Sequence, residues 1–166
     1  DPDTLEPCQA NQIGELWVKA PIVAKGYWRQ EERTEQIFRA TLDGEEGYFL
    51  RTGDLAFMDG AEVYIAGRLK DMIIIRGANH YPQDIEHTAE MAHPAIRKGC
   101  VAAFAIERDG EEHLGLVAEV DQRSDDFDGE AVLRDVVKEI NAQHRINPSA
   151  VALIDADGRV LITKRP

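Results

Sequence analysis

The sequence contains few cysteines and no long apolar run. Its 166 residues include only two cysteines, Cys8 and Cys100, which are far apart and fit no metal-binding spacing. A disulfide framework is therefore not expected, and the sequence predicts a cytoplasmic protein. The longest apolar runs, residues 72–75 and 100–106, have the length of strands, so no transmembrane segment is expected.

Basic residues are not in excess either: acidic residues outnumber them, and the formal net charge is −12. Binding to nucleic acid rewards clusters of Lys and Arg, so no nucleic-acid partner is expected. An anionic nucleotide can bind only where backbone dipoles or a few basic side chains oppose this field. The acidic first residues contain no methionine and no apolar signal region, so the chain reads as an excised piece of a longer protein.

Metal and nucleotide signatures of the common kinds are absent. Four of the histidines, His87, His93, His113 and His144, form no H-E-x-x-H or Cys/His cluster, so no metal site is expected. The sequence contains no P-loop, no dinucleotide-binding glycine pattern and no G-x-S-x-G motif.

The pattern of apolar residues and turns predicts an α+β protein in two parts. Residues 1–66 are rich in strands, with a strand over 14–20, a short helix over Glu31–Phe38 and a hairpin around Asp59-Gly60. Residues 72–166 show the order β-α-β-β-α-β-β, which predicts two helices packed on a mainly antiparallel sheet. Here residues 72–75 read as a strand buried on both faces, and Asp128 can cap an amphipathic helix. The boundary is predicted at residues 67–71.

One candidate binding residue is Asp54, in the tetrapeptide Arg51-Thr52-Gly53-Asp54. A glycine beside an acidic residue at a strand end lets a ligand approach the backbone while the carboxylate accepts two hydroxyl groups. A ribose suits this arrangement. The alternative is a plain turn in which the aspartate bonds its own backbone.

Two basic residues lie at the predicted boundary. Arg68 follows a glycine, and its guanidinium is suited to a nucleotide's hydroxyl or phosphate oxygens. Lys70 lies where a chain between two rigid bodies must flex. The alternative is a solvated charged loop. His80, beside Tyr81, invites a general acid/base role, but no second catalytic group is spaced nearby, and a structural role in the loop is favoured.

Taken in order, three segments resemble the late core motifs of the adenylate-forming superfamily, which contains acyl-CoA synthetases, luciferases and the adenylation domains of peptide synthetases. The segments are GELWVKAPIVAKGYW, YFLRTGDL and GRLKDMIIIRG followed by P-x-D-I-E. Most members end this last motif as G-x-x-I-x-P-x-E-I-E, whereas residues 77–86 read GANHYPQDIE, which is similar to the fatty acyl-AMP ligase version. The resemblance covers nearly the whole chain.

The resemblance implies a role for each candidate residue. It implies that Asp54 holds the hydroxyls of the AMP ribose, that Arg68 contacts this ribose, and that Lys70 is the hinge of a rotating small domain. The implied fold is the strand-rich, β-barrel-like end of a large adenylation domain, followed by a small α+β carboxy-terminal lid. The implied reaction converts a fatty acid, ATP and Mg²⁺ into acyl-adenylate and pyrophosphate, followed by transfer to the phosphopantetheine thiol of an acyl carrier protein.

Two family features have no match in this sequence. The family's phosphate-binding loop and acyl pocket lie upstream, so this piece alone is expected to be inactive and to bind neither ATP, AMP nor Mg²⁺ without the rest of the large domain. The family's catalytic lysine follows a glycine in P-x-x-x-x-G-K, whereas this chain finishes GRVLITKRP. Either the sequence stops short of that lysine, which we favour, or Lys164 is a displaced surrogate, or the lysine is absent. Adenylation needs such a cation beside the carboxylate and α-phosphate.

Two alternative functions stay open on the sequence. One is an acyl-CoA ligase relative that transfers the acyl group to coenzyme A. The other is a non-catalytic, adenylate-ligase-like module that binds lipid or protein. A fatty acyl-AMP ligase of this kind can also be embedded in a polyketide or lipopeptide synthase.

Overall fold

The structure is a computed structural model, and it describes residues 1–122 and 127–164. The chain forms two compact units, Asp1–Lys70 and Asp71–Pro166. The elements of the first are, in chain order, β1 Gly14–Val18, α1 Glu31–Phe38, β2 Leu50–Asp59 and β3 Glu62–Arg68. A 3₁₀ turn over Leu69–Asp71 follows. The elements of the second are β4 Ile73–Ile75, β5 Ala78–His80, α2 Pro82–Ala92, β6 Ile96–Arg108, β7 Glu111–Val120, α3 Gly129–His144, β8 Ala150–Ile154 and β9 Val160–Lys164.

The first unit is built on an antiparallel sheet of three strands in the order β1-β2-β3. The predicted hairpin around Asp59-Gly60 joins β2 and β3, and α1 has the predicted bounds. Thr34 fixes α1 from inside, since its hydroxyl donates to the Gln30 carbonyl at 2.8 Å and accepts the Tyr27 amide at 3.0 Å. The described strands of this unit form an open sheet, because three strands are too few to close a barrel. The expected strand-rich structure is therefore present, but a closed barrel is not formed by the described residues.

Strand β2 is irregular where it passes β1. Trp17 pairs with Arg51 and Glu15 pairs with Leu55, so two steps along β1 face four steps along β2. The additional residues form a bulge, residues 52–54, which we call the β2 bulge. Gly53 lies inside it at φ +72°, a backbone conformation that glycine adopts without steric cost.

The second unit has the predicted α+β composition. Strands β6, β7, β8 and β9 form one sheet in that order, and α2 and α3 pack together over it. Asp128 caps α3 as predicted, accepting the amides of Glu130 and Ala131 at 3.0 and 3.1 Å. The core lies between sheet and helices and includes, each 2% exposed or less, Ile85, Ala89, Leu114, Leu116, Ala118, Val132, Leu133, Val136, Ile140, Val151 and Leu153.

One local expectation in this unit is wrong. The apolar run 72–75 is not buried on both faces, because Ile73 is fully buried while Ile74 is 46% exposed. The reason is that β4 does not join the large sheet; it pairs with a short unpredicted strand, β5, in a separate two-stranded hairpin. Arg76 and Gly77, both at positive φ, form the turn of that hairpin. In this two-stranded hairpin Ile73 is on the buried face and Ile74 is on the exposed one.

Strand β8 runs parallel to β7, whereas the other pairs of the four-stranded sheet are antiparallel. A parallel pair needs a crossover connection, and the segment carrying α3 provides it. Among the described residues, no helix combines the length and apolar character needed to cross a membrane.

Candidate functional site

Asp54 and Arg68 lie opposite each other in the first unit. They are register partners on β2 and β3, and Arg68 Nε donates to Asp54 Oδ1 at 2.9 Å. Their side chains are 33% and 53% exposed, so both remain open to solvent and to a ligand. The two residues for which the sequence predicts a nucleotide role are therefore in direct contact.

On the side of β1, the backbone around Asp54 is held by a hydroxyl group, because the regular ladder is interrupted there. Thr52 Oγ1 donates to the Leu16 carbonyl on β1 at 2.8 Å and accepts the Asp54 amide at 3.0 Å. Apart from Gly53 and its two chain neighbours, no residue has an atom within 4 Å of the position that a side chain at Gly53 would take, so the backbone beside Asp54 is open. A carboxylate on an open bulge can accept two adjacent hydroxyl groups, as a ribose presents them.

Beneath the bulge lies an ion pair that the sequence did not reveal. Arg51 Nε and Nη2 donate to Glu15 Oε2 at 3.1 and 2.7 Å, and the guanidinium lies 5.2 Å from the centre of the Trp17 ring. The Glu15 side chain is only 4% exposed. In the sequence, Glu15 is merely the polar position of an alternating strand, and nothing in that pattern distinguishes a buried glutamate from a solvated one.

Opposing effects act on the pKa of Glu15. Burial raises it, but hydrogen bonds from Arg51 and Trp17, the charge of Arg51 and a hydrogen bond from the Gly53 amide lower it, and the net pKa is below the usual 4.5. The carboxylate is therefore ionised at neutral pH.

The other two sequence candidates lie elsewhere in the chain. Lys70 is exposed in the 3₁₀ turn, at the boundary between the two units. Lys164 ends β9, and its side chain lies outside the described part of the chain. Its role as a surrogate for the catalytic lysine stays a prediction.

Two clefts of the described structure are not lined by Asp54. One, of about 530 Å³, is lined in the first unit by mostly apolar side chains that include Trp17 and Met58. The other, of about 760 Å³, lies in the second unit between the β4–β5 hairpin, the β6–β7 turn and the end of α3. Asp54 and Arg68 line neither, so the candidate site is an open surface of the first unit.

The second cleft contains His80 and His144. Burial, and then the charge of His144, lower the pKa of His80 below its usual 6.5. His144 Nε2 lies 2.8 Å from Thr88 Oγ1, which ties the end of α3 to α2. His80 is thus held mostly neutral in β5, and its sequence interpretation as a structural residue stays a prediction.

No metal site is found in residues 1–122 and 127–164, where no three His, Cys, Asp or Glu side chains are grouped closely enough to hold an ion.

Comparison with known proteins agrees with the resemblance drawn from the motifs. The family described as "Disco-interacting protein 2-like, AMP domain" matches residues 70–165. The medium-chain-fatty-acid–[acyl-carrier-protein] ligase JamA of Moorena producens is 45% identical over 94% of this chain and 27% of its own length. The putative fatty-acid–CoA ligase FadD21 of Mycobacterium tuberculosis is 41% identical over 93% of this chain and 28% of its own.

A solved structure agrees in fold as well. ATP-bound MatB from Rhodopseudomonas palustris aligns with a TM-score of 0.74 and 30% identity over 93% of this chain and 29% of that one. The chain thus spans little more than a quarter of each of these three proteins.

Proposed function

The chain belongs to the Disco-interacting protein 2-like AMP domain family, and we propose that it is the carboxy-terminal part of a fatty acyl-AMP ligase. In this proposal the whole enzyme, in the cytoplasm, joins a fatty acid to AMP from ATP and passes the acyl group to an acyl carrier protein. The observation that carries the proposal is the pairing of Asp54, on the open β2 bulge, with Arg68 of β3.

The ribose of the nucleotide binds at this pair. Asp54 accepts the two ribose hydroxyls, and charge-assisted bonds of this kind are the stronger ones in proteins. Arg68 holds the carboxylate from one side at 2.9 Å and leaves its guanidinium within reach of the same ribose. The similarity to an ATP-bound structure supports a nucleotide as the ligand.

The first unit is proposed to be the end of the large adenylation domain. Support comes from its burial, because Leu55 and Ala56 are the only hydrophobic residues buried within the part of this unit that the structure describes. Large apolar side chains there are exposed instead, among them Ile22 at 92% and Trp28 at 83%. So small a core favours a unit that packs on further chain, which is its proposed partner.

Residues 72–166 are proposed to be the lid, and residues 67–71 its hinge, with Lys70 as the pivot. Support comes from the boundary between the compact units, which falls after Lys70, and from the single 3₁₀ turn there. A few residues outside regular strands can absorb the change in φ and ψ that a rotation requires.

The cation that adenylation needs is proposed to be a lysine near the end of the lid. Lys164 is the surrogate candidate in this chain, and it is tested by Lys164→Ala in the complete enzyme. Loss of adenylate formation with unchanged ATP affinity is the result expected if this side chain serves.

The acyl acceptor is proposed to be the phosphopantetheine thiol of an acyl carrier protein, because JamA, 45% identical, is a ligase for that acceptor. Coenzyme A is the second candidate, since FadD21, 41% identical, carries the name of a fatty-acid–CoA ligase.

The test is ATP–pyrophosphate exchange by the complete enzyme with fatty acids of several lengths, followed by acyl transfer to carrier protein and to coenzyme A in parallel. Exchange that depends on a fatty acid is expected, with transfer to the carrier protein. Absence of exchange with every carboxylate would instead support a non-catalytic module that binds lipid or protein.

A further inference from the structure

The β2 bulge that carries Asp54 is fastened by one buried carboxylate. We propose that Glu15 is a positioning residue for nucleotide binding: its ionised side chain sets the shape of residues 52–54 and so presents Asp54 to the ribose. This inference rests on the proposed function, because it assigns the ribose to Asp54.

Glu15 spans the bulge from one end to the other. Its backbone is in register with Leu55, at one end, whereas its carboxylate receives three hydrogen bonds from Arg51, at the other. Between these ends β2 carries its additional residues, which make no regular ladder with β1. A bulge loses ladder hydrogen bonds, and side chains must replace them to fix one conformation.

Arg51 donates to both oxygens of the Glu15 carboxylate. Its Nε lies 3.3 Å from Oε1 and 3.1 Å from Oε2, and its Nη2 lies 2.7 Å from Oε2. The Trp17 indole and the Gly53 amide also face this carboxylate and lower its pKa, and Gly53 is the residue immediately before Asp54. Because Arg51 only donates and carries a positive charge, the group that suits it is an ionised, acceptor-only side chain, which means a carboxylate.

A neutral amide of the same shape cannot meet this requirement. The NH₂ group of a glutamine at position 15 would direct its hydrogens at the Arg51 donors, and the negative charge opposite the guanidinium would be lost in a side chain that is 4% exposed. We therefore expect Glu15→Gln to weaken the contact with Arg51 and to loosen residues 52–54. In this variant the Thr52 bonds to the Leu16 carbonyl and to the Asp54 amide still keep the strands paired, but the bulge is held less firmly than in the parent.

The competing explanation is that Glu15 and Arg51 only join β1 to β2. Both explanations predict some loss of stability, so stability alone cannot separate them. The ribose hydroxyls can separate the two explanations, because a residue that acts through Asp54 affects the binding only of nucleotides that have those hydroxyls.

The experiment measures the dissociation constants of ATP and of 2′,3′-dideoxy-ATP on the complete enzyme, for the parent, Glu15→Gln, Asp54→Ala and the double variant. We expect Glu15→Gln to weaken ATP binding about tenfold, about 1.4 kcal/mol, and to leave dideoxy-ATP binding unchanged. The double variant is expected to bind ATP no more weakly than Asp54→Ala, because two residues that act through one contact are not additive.

Arg51→Met tests the same network from its other end, and Arg39→Met is its matched control. Arg39 pairs with Glu31 and Glu35 on α1, and its side chain is 35% exposed against 34% for Arg51. Arg51→Met is expected to lower the preference for ATP over dideoxy-ATP, and Arg39→Met to leave it at the parental value. Dideoxy-ATP binding also shows that each variant is folded.

The outcomes distinguish a failure of the Glu15 proposal from a failure of the assignment of the ribose to Asp54. If Asp54→Ala lowers ATP affinity and Glu15→Gln does not, or if Glu15→Gln weakens both nucleotides equally, Glu15 has no positioning role. If the parent itself does not distinguish ATP from dideoxy-ATP, or Asp54→Ala changes nothing, the assignment of Asp54 to the ribose is what fails.

Discussion

Replacing Asp54 with asparagine should separate a binding role from a structural one. The substitution keeps the shape of the side chain and removes its charge, so the ion pair with Arg68 is lost while the Thr52 bond to the Asp54 amide stays. The paired side chains are 33% and 53% exposed, and pairs this accessible contribute about 0.2–1 kcal/mol. We therefore expect the free energy of unfolding to fall by no more than about 1 kcal/mol.

Nucleotide affinity should fall further than stability. A hydrogen bond to a charged group contributes about 1.5–3 kcal/mol, and asparagine keeps one uncharged acceptor, so we expect a loss of about 1.5–2 kcal/mol, or about 10- to 30-fold in Kd. The assay is calorimetric titration of the complete enzyme with AMP, beside thermal unfolding of the same samples.

The matched control is Glu31→Gln, which removes an exposed carboxylate bonded to Arg39 at 2.8 Å on α1. Its effect on unfolding should be similarly small, and AMP affinity should not change. The reasoning is refuted if Asp54→Asn binds AMP as tightly as the parent, or if it unfolds the protein as a core substitution would.

Three further outcomes follow from the charges and caps. The pKa of Glu15 is lower in the folded protein, so its contribution to stability is present above about pH 4.5 and is lost as the pH falls through the folded value; Glu15→Gln should remove this acid-dependent loss in unfolding titrations. The pKa of His80 is also lower when folded, so the unfolded chain takes up the proton first, and stability should decline as the pH falls below about 6.5; His80→Asn should flatten that decline. Asp128→Ala should cost about 1 kcal/mol in chemical denaturation, since two α3 amides lose their acceptor, whereas Asp128→Ser should restore most of it.

Much of the fold follows from local patterns. Helix α1 and the Asp128 cap were predicted because amphipathic spacing and capping act within a few residues of the chain. Strand β5 was missed because its three residues, Ala78–His80, carry no alternation, and the turn at Arg76-Gly77 is what pairs them with β4. The exposure of Ile74 depends on which sheet β4 joins, and an apolar run alone cannot decide that.

The candidate site divides in the same way. Asp54 and Arg68 were selected by their motifs, and their contact depends on the pairing of β2 with β3, which the hairpin signal at Asp59-Gly60 predicted. Glu15 could not be selected, because its importance comes from the register of β1 against a bulge of β2. A register is a property of two segments far apart in sequence, and neither segment encodes it alone.

The parallel pairing of β7 with β8 has a consequence for the order in which we expect the sheet to fold. Strands β6 and β7 are joined by a tight turn at Asp109-Gly110, so their hairpin can close quickly. The pairing of β8 with β7 closes a longer loop, since the bond from Ser149 Oγ to the Leu114 carbonyl joins residues 35 positions apart. We therefore expect the β6–β7 hairpin to form first and the β8–β9 edge to join it later, and Leu153→Ala in β8 should then speed unfolding more than it slows folding.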